Sequence, residues 1–293
     1  MTQVSKLVSV VIPAYNAGSF LERAVFSCLV QENVDEILII NDYSIDDTFS
    51  IAKRLAENSL KIKVLNSSVE ENKGPSFCRN LGWRNSRNGW VQFLDADDEL
   101  LPGKLTSQVS LIKPNTPFIV ANATNRFSHG FSSKRQYIRE PWIGLISGKL
   151  GITSANLFNS EYLKAVDGFN ESLYTSEEYD LMFRILKLND QIIFDSRSLT
   201  LIHQTHDSIC RSGRNSEALY RNWVNLRKRI RRYLMKEGLF KVKYRFCYSG
   251  YVGRFQKSFK KPLDNSVDKF LLFLFEFQLI LKKVVYLMLR RIK

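Results

Sequence analysis

The sequence predicts an α/β fold: a mostly parallel sheet with helices on both faces, followed by a helical, basic C-terminal tail. Three observations carry this expectation. Short β-branched runs alternate with longer runs of helical spacing through the first hundred residues. The first of them, Val8–Pro13, is β-branched and continuous, as a strand covered on both faces should be. The charge is divided: residues 1–220 hold 23 Lys+Arg against 25 Asp+Glu, and residues 221–293 hold 20 against 4. The positive excess therefore belongs to the last quarter of the chain, and the two parts answer to different demands.

The elements follow in order. Val8–Pro13 (VSVVIP) reads as a buried strand, and Ser19–Leu29 as a helix with Phe20, Leu21, Ala24, Val25 and Cys28 on one side. Asp35–Ile40 (DEILII) is a second strand. Ser44–Glu57 opens with Ser, Asp and Thr, which cap free backbone N–H groups, and continues as a helix. Lys61–Leu65 is a third strand, a helix begins near Pro75 and runs to Asn88, and Trp90–Leu94 is a fourth strand. Beyond Pro102 the pattern loosens. Phe118–Ala123, Ile152–Phe158 and Gln191–Phe194 read as strands and Glu177–Leu188 as a helix, whereas Asn125–Trp142 is polar, basic and unpatterned and is expected to be a mobile loop.

Composition sets outer bounds. With 293 residues, 44% hydrophobic and 25% charged, the chain has ordinary globular composition. Its four cysteines form no CxxC pair, which argues against a disulfide framework or a zinc site and for a reducing compartment. The opening MTQVSKLVSVVIP has no signal-peptide pattern, so a cytoplasmic setting is expected.

The chemistry concentrates at strand ends. Ligands of open parallel sheets bind beyond the carboxyl ends of the strands, where NDYS follows the second strand and DADD the fourth. Asp95, Asp97 and Asp98 lie close enough to repel one another, so one protonates or a cation intervenes. Oxygen ligands at this spacing suit Mg²⁺ or Mn²⁺ shared with substrate phosphates. A solvated acidic turn capping the next helix is the plainer alternative.

Four stretches in order, VSVVIPAYN (8–16), NDYSIDDT (41–48), NKGPSFCRNLG (72–82) and FLDADD (93–98), resemble the N-terminal half of the inverting family-2 glycosyltransferases, which have the Rossmann-like GT-A fold. Downstream, NLFNSEYLKAVDGFNESLYTSEEYDLMFRI (156–185) is similar to the family's acceptor-side segment, and HQTHDSICR (203–211) to its later His-containing stretch. The resemblance covers roughly residues 7–211 and stops short of the basic tail. It implies that Pro13 and Tyr15 lie at the nucleobase, where an aromatic face packs on a ring. Asp42 would accept the uracil ring N–H, and Arg79 would present paired donors near base or phosphates. Asp95 would reach the ribose, and Asp97 would hold Mn²⁺ or Mg²⁺ against the diphosphate. The general base falls at Glu178, where the family commonly has Asp, with Asp180 as the fallback. The plain reading of Glu177, Glu178 and Asp180 is that acidic residues favour a helix N-terminus. His206 matches the family's His near the end of the domain and is a candidate metal ligand, with His203 three residues earlier; a loop histidine bonded to backbone is the commoner case. Two departures stand out: Asn41 replaces an Asp, and Tyr43 replaces a Gly, which is expected to exclude a positive φ and reshape that loop.

In the tail, Asn225–Phe246 interleaves cations with apolar residues, and Phe270–Leu289 has 16 apolar residues among 20. Glu276, Lys282 and Lys283 in its middle disfavour a span, each costing about 2.5–3.5 kcal/mol in a bilayer centre. Lys269, Glu276, Lys283 and Arg290 recur every seven residues, so a helix here has a narrow polar stripe. That suits a helix lying on an anionic membrane or packing on the domain. Cations beside aromatics also suit nucleic acid, but no such module is recognisable and no nucleic-acid partner is expected. The expected organisation is residues 1–215 as the GT-A domain (1–110 nucleotide-sugar half, 111–215 acceptor half) and 216–293 as a membrane-associating helical region. The expected function is metal-dependent inverting transfer from a UDP-sugar to a glycan or lipid-linked acceptor in cell-surface polysaccharide synthesis, at the inner face of the cytoplasmic membrane. A non-catalytic membrane- or glycan-binding protein on the same scaffold is the alternative.

Overall fold

A computed structural model describes residues 7–67, 71–204 and 216–291. The chain divides into two compact units, residues 1–139 with 151–214, and residues 140–150 with 215–293. The division is not a single break near residue 215, because Glu140–Leu150 clusters with the C-terminal unit.

The first unit begins β1 (Val8–Ala14), α1 (Gly18–Leu29), β2 (Val34–Asn41), α2 (Thr48–Glu57), β3 (Ile62–Asn66), α3 (Pro75–Arg84) and β4 (Trp90–Phe93). It continues β5 (Glu99–Leu100), α4 (Lys104–Val109), β6 (Phe118–Ala121), β7 (Ala123–Phe127) and β8 (Ser132–Arg135). The chain then passes through α5 (Pro141–Ser147) of the second unit and returns as β9 (Leu157–Asn159), α6 (Ser160–Ala165), α7 (Glu177–Leu186), β10 (Ile193–Asp195) and β11 (Thr200–Gln204).

Seven strands form one sheet in the order β10-β6-β9-β4-β1-β2-β3. β1 lies parallel to both β2 and β4, and β9 runs antiparallel between β4 and β6. Ala14 pairs with Asn41 and Val11 with Phe93, so the segments after β1, β2 and β4 emerge together at one edge. The apolar runs explain the core: Val10, Ile12, Ile37 and Ile39 are fully buried on one face of the sheet, packed with Leu21, Val25 and Ala52 from α1 and α2. On the other face α3 approaches so closely that a Cβ on Gly82 would stand 2.2 Å from Val11 Cγ1.

A second sheet has the order β5-β11-β7-β8, with β7 parallel to β11 and β8 antiparallel to β7. It corrects two expectations. Asn125–Trp142 is no mobile loop, because its first half forms the β7–β8 hairpin and its end enters α5. Phe118–Ala123 is two strands in different sheets, with Asn122 at the corner donating to Ser196 O (2.8 Å) and accepting from Tyr137 N (3.1 Å). Two boundaries also move. α2 starts at Thr48 after a polar turn, and of Ile152–Phe158 only the end is strand, because Ala155 N and Asn156 N both turn back to Ile152 O (3.0 Å each).

The second unit joins α5 to α8 (Ser216–Lys236), α9 (Val242–Ser258) and α10 (Lys269–Arg291). Trp142, Leu145 and Ile146 of α5 are buried, Trp142 against Tyr233 of α8 with centroids 5.3 Å apart. Glu140 caps α5 by accepting from Ile143 N (2.6 Å), and Tyr244 of α9 donates to its other oxygen (2.9 Å). Gly250 and Gly253 leave α9 a bare strip where Phe275 and Leu272 of α10 rest; a Cβ on either glycine would meet those side chains at 2.2 and 2.7 Å.

Candidate active site

The site is assembled from the segments that leave β1, β2 and β4 and from the start of α7. After β1, Tyr15 stands half exposed. Asn16 ties this segment to the one after β2: its N–H donates to Ser44 Oγ (3.2 Å), and its side-chain oxygen accepts from Ile45 N (3.0 Å). Half-buried Pro13, next to the end of β1, pairs with Ile40. Asp42 is buried, and its two oxygens accept from Lys73 N (3.0 Å) and Gly74 N (2.8 Å), holding the entry to α3. Each carboxylate oxygen retains acceptor capacity beyond those bonds.

Tyr43 corrects an expectation. It adopts φ +57°, the left-handed conformation its side chain was expected to exclude. The conformation costs a non-glycine residue roughly 1–2 kcal/mol. It is imposed from both sides: Asp42 N donates to Ala14 O (2.9 Å) before it, and the Asn16–Ser44–Ile45 bonds follow it. The loop thus keeps the course a glycine would give it, with a half-exposed phenol ring added.

Arg79 is the hub. From α3 its guanidinium donates to Asp95 Oδ1 (2.7 Å) and Glu177 Oε1 (3.4 Å), joining the end of β4 to the start of α7. Burial alone would weaken its charge, but the carboxylates of Asp95 and Glu177 outweigh that and hold it above the ordinary arginine value. Burial raises Glu177 despite Arg79 beside it. Asp97 is pushed up to about 6 by burial and then by the Asp95 charge, and buried Asp98 is raised for the same two reasons with Asp97 added. The turn therefore holds more negative charge than it stabilises unaided.

Glu178 points back to the segment before β9, where its Oε2 accepts from both Thr153 N (3.0 Å) and Thr153 Oγ1 (2.8 Å). The neighbouring Ser154 Oγ accepts from Asp95 N (3.2 Å), so two adjacent residues brace both acidic segments. Asp180, the second base candidate, is not presented in this way. It is buried and ion-paired with Arg184 (2.7 Å), which also donates to Gly168 O (2.7 Å), so its carboxylate anchors α7. His203 faces Glu99 (3.2 Å), and burial followed by the Arg23 charge lowers its basicity. His206 lies outside the described residues. Among the described residues no group of three His, Cys, Asp or Glu is placed to hold a metal by itself. Asp97 fits a cation in a narrower sense: a partly buried carboxylate whose protonation is favoured by neighbouring charge is relieved by a cation that substrate phosphates also ligate.

Structure thus brings together Tyr15, Asp42, Arg79, Asp95 and Asp97, and adds Thr153, Ser154 and Glu177. The signal for Thr153 and Ser154 was an adjacent pair of hydroxyl residues within GITSANLF, a run that otherwise holds only Asn156 as a polar side chain.

Comparison with known proteins bears on the family and the fold. The family described as Glycosyl transferase family 2 matches residues 9–170. The succinoglycan biosynthesis protein ExoU of Rhizobium meliloti (strain 1021) is 30% identical over 198 residues, covering 61% of this chain and 56% of that protein. Chondroitin synthase of Escherichia coli is 27% identical over 186 residues, 61% of this chain and 26% of that one. The chain thus spans little more than half of the first relative and about a quarter of the second. Among solved structures, S. aureus TarS 1-349 in complex with UDP-GlcNAc superposes with a TM-score of 0.67 at 18% identity, over 86% of this chain and 73% of that one. Mannosyltransferase PcManGT from Pyrobaculum calidifontis, in complex with GDP-Man and Mn2+, gives 0.57 at 12% identity, over 90% and 78%. At such identities the likeness shows the fold, which is the α/β GT-A fold. With more than half of its length matched by the family, this chain belongs to glycosyltransferase family 2.

Proposed function

We propose that the protein transfers a sugar, with inversion, from a UDP-sugar to a hydroxyl of a lipid-linked glycan in cell-surface polysaccharide synthesis. The observation that carries this reading is the convergence of Tyr15, Asp42, Arg79 and Asp95–Asp97 at one sheet edge, with Glu178 braced beside them. Tyr15 offers a ring face to the base, and Asp42 has acceptor capacity left for a ring N–H. Arg79 keeps Asp95 and Glu177 in place, so neither drifts toward the diphosphate. Asp97 would hold Mn²⁺ or Mg²⁺, and the cation would offset the charge of the departing diphosphate. Glu178 accepts the proton of the acceptor hydroxyl as that oxygen attacks the anomeric carbon from the face opposite the leaving group. Thr153 occupies Oε2, which leaves Oε1 for the proton. Glu177 is held by Arg79, so one carboxylate serves as base and none as nucleophile, as a single displacement requires.

The second unit supports work at the inner face of the cytoplasmic membrane. Among the described residues no helix is long and apolar enough to cross a membrane. Leu272 and Phe275 turn α10 toward α9, while Phe270, Phe273, Phe277, Ile280, Val284 and Leu287 form an exposed stripe at spacings of three and four. Beside the tail's cations, such a face suits an anionic leaflet.

The test is UDP release from a panel of UDP-sugars, with and without Mn²⁺, using membrane extract as acceptor. Wild type should release UDP only with the cation, and Asp97→Ala should lower the rate by about 100-fold or more, the scale of losing the charge stabilisation of a leaving group. If no donor turns over and UDP binds equally with and without Mn²⁺, the enzyme reading fails and a non-catalytic binding role replaces it.

A further inference from the structure

The β7–β8 hairpin is unlike the rest of its unit. Residues 123–139 contain Arg126, Lys134, Arg135 and Arg139 and no Asp or Glu. All four cations are exposed, and none is in an ion pair among the described residues. At the tip, Phe127, His129 and Phe131 group together with centroids 5.6–6.3 Å apart, and the His129 and Phe131 rings lie within 6° of parallel. Phe131 is 61% exposed. The tip is not loose chain: Phe127 N donates to Phe131 O (2.9 Å), Gly130 N donates to Phe127 O (3.0 Å), and Gly130 supplies the positive φ the turn needs. Cations on an edge strand can be understood as guards against strand pairing. Exposed rings work against that purpose and need another explanation.

The register of the second sheet places this tip. β7 runs parallel to β11, with Gln204 beside Phe127, while β5 runs antiparallel to β11, with Leu201 beside Glu99. Moving up β11 toward Gln204 therefore moves down β5 toward Asp98 and Asp97. The hairpin tip and the acidic turn lie at the same end of the sheet, two to three strand spacings apart, about 10–15 Å across. A chain whose terminal hydroxyl meets Glu178 could extend over that distance.

We propose that the β7–β8 hairpin binds the acceptor chain, and that this acceptor is an anionic glycan. The inference rests on the glycosyl-transfer reading above and adds the acceptor's chemical class. A pyranose face presents polarised C–H bonds that pack on aromatic ring faces, which the tip rings supply. Arg135 pairs with Ala123 and so shares the hairpin face of Phe127 and Phe131, where it meets the carboxylates or phosphates of such a chain with charge-assisted hydrogen bonds; Arg126 and Lys134 lie on the opposite face. Neutral glycan would use the rings and leave Arg135 idle.

The experiment is gel retardation of the full chain by polygalacturonate, with dextran as the neutral control and anionic vesicles and oligouridylate as the other polyanions. Phe131→Ala changes no charge and should weaken retention by polygalacturonate about fivefold, the equivalent of roughly 1 kcal/mol of ring contact. Arg135→Ala should weaken it more than Lys164→Ala, which removes equal charge elsewhere on the same unit. UDP affinity, measured in every variant, should not change, which shows that the fold and donor site are intact. Unchanged retention of Phe131→Ala overturns the proposal, as does a Phe131 dependence seen with vesicles or oligouridylate but not with polygalacturonate. If no UDP-sugar is ever consumed while hairpin-dependent retention persists, the transfer reading fails and the glycan surface stands.

Discussion

Tyr43 shows what a single residue can be made to accept. Its left-handed backbone is held by bonds from Asp42, Asn16 and Ser44, so replacing it removes strain without removing a contact the loop needs. Tyr43→Gly is expected to raise the unfolding free energy by about 0.5–1 kcal/mol, part of the relief being returned through the looser unfolded chain. A urea titration would show this as a higher midpoint at constant slope. The sequence motif was readable here, but the conformation was not, because local steric preference ranked below hydrogen bonds reaching in from 28 residues away. Thr153 lay deeper still, its role depending on a partner 25 residues later. Thr153→Val keeps the backbone donor to Glu178 and removes the hydroxyl. We expect kcat to fall about tenfold with KM unchanged, since only an interaction with the proposed base is lost. Restored turnover in Thr153→Ser would separate positioning from packing. Asp42, Arg79, Asp95 and Asp97 were legible for the opposite reason: each follows a strand end or sits one helix turn into a recognisable motif.

At the scale of elements, β1, β2 and β4 announce themselves because burial on both faces demands largely apolar runs. β7, β8 and β11 carry mostly half-buried or exposed polar residues, so no alternation marked them, and the hairpin was read as loop. Between α4 and β4 lies a buried charge that pattern could not show. Lys104 is almost wholly enclosed and donates to Gln92, and burial brings its ammonium down to about 7 from 10.5. Above pH 7 the unfolded chain keeps that proton and the folded chain does not, so stability rises with pH, by at most about 1.4 kcal/mol per unit. Burial pushes Cys28 up from 9.0 to about 12, which opposes the trend above pH 9. Denaturation between pH 7 and 8.5 should show the rise in wild type and a flat profile in Lys104→Met. Between α9 and α10 the controlling feature is absence of side chains. Gly250→Ala would drive a methyl into the Phe275 ring, destabilising the second unit by about 1–3 kcal/mol, and calorimetry should show the loss in the transition of that unit.

Taken as a whole, the molecule is one unit near charge balance and one strongly basic unit. Phosphatidylglycerol vesicles should therefore sediment the full chain, while neutral vesicles and about 0.5 M salt should release it. Phe273→Asp/Phe277→Asp should abolish sedimentation without changing UDP affinity, because both rings are exposed on α10. The charge division was legible from composition, but the true boundary was not, since nothing in the run from Glu140 to Leu150 says that its cover comes from α8 and α9. That arrangement has a consequence during synthesis. Trp142, Leu145 and Ile146 leave the ribosome roughly a hundred residues before Tyr244 and the rest of α9. At about 5–20 residues per second the greasy turn of α5 waits several seconds with nothing to shelter it, a window in which a nascent-chain chaperone would find it.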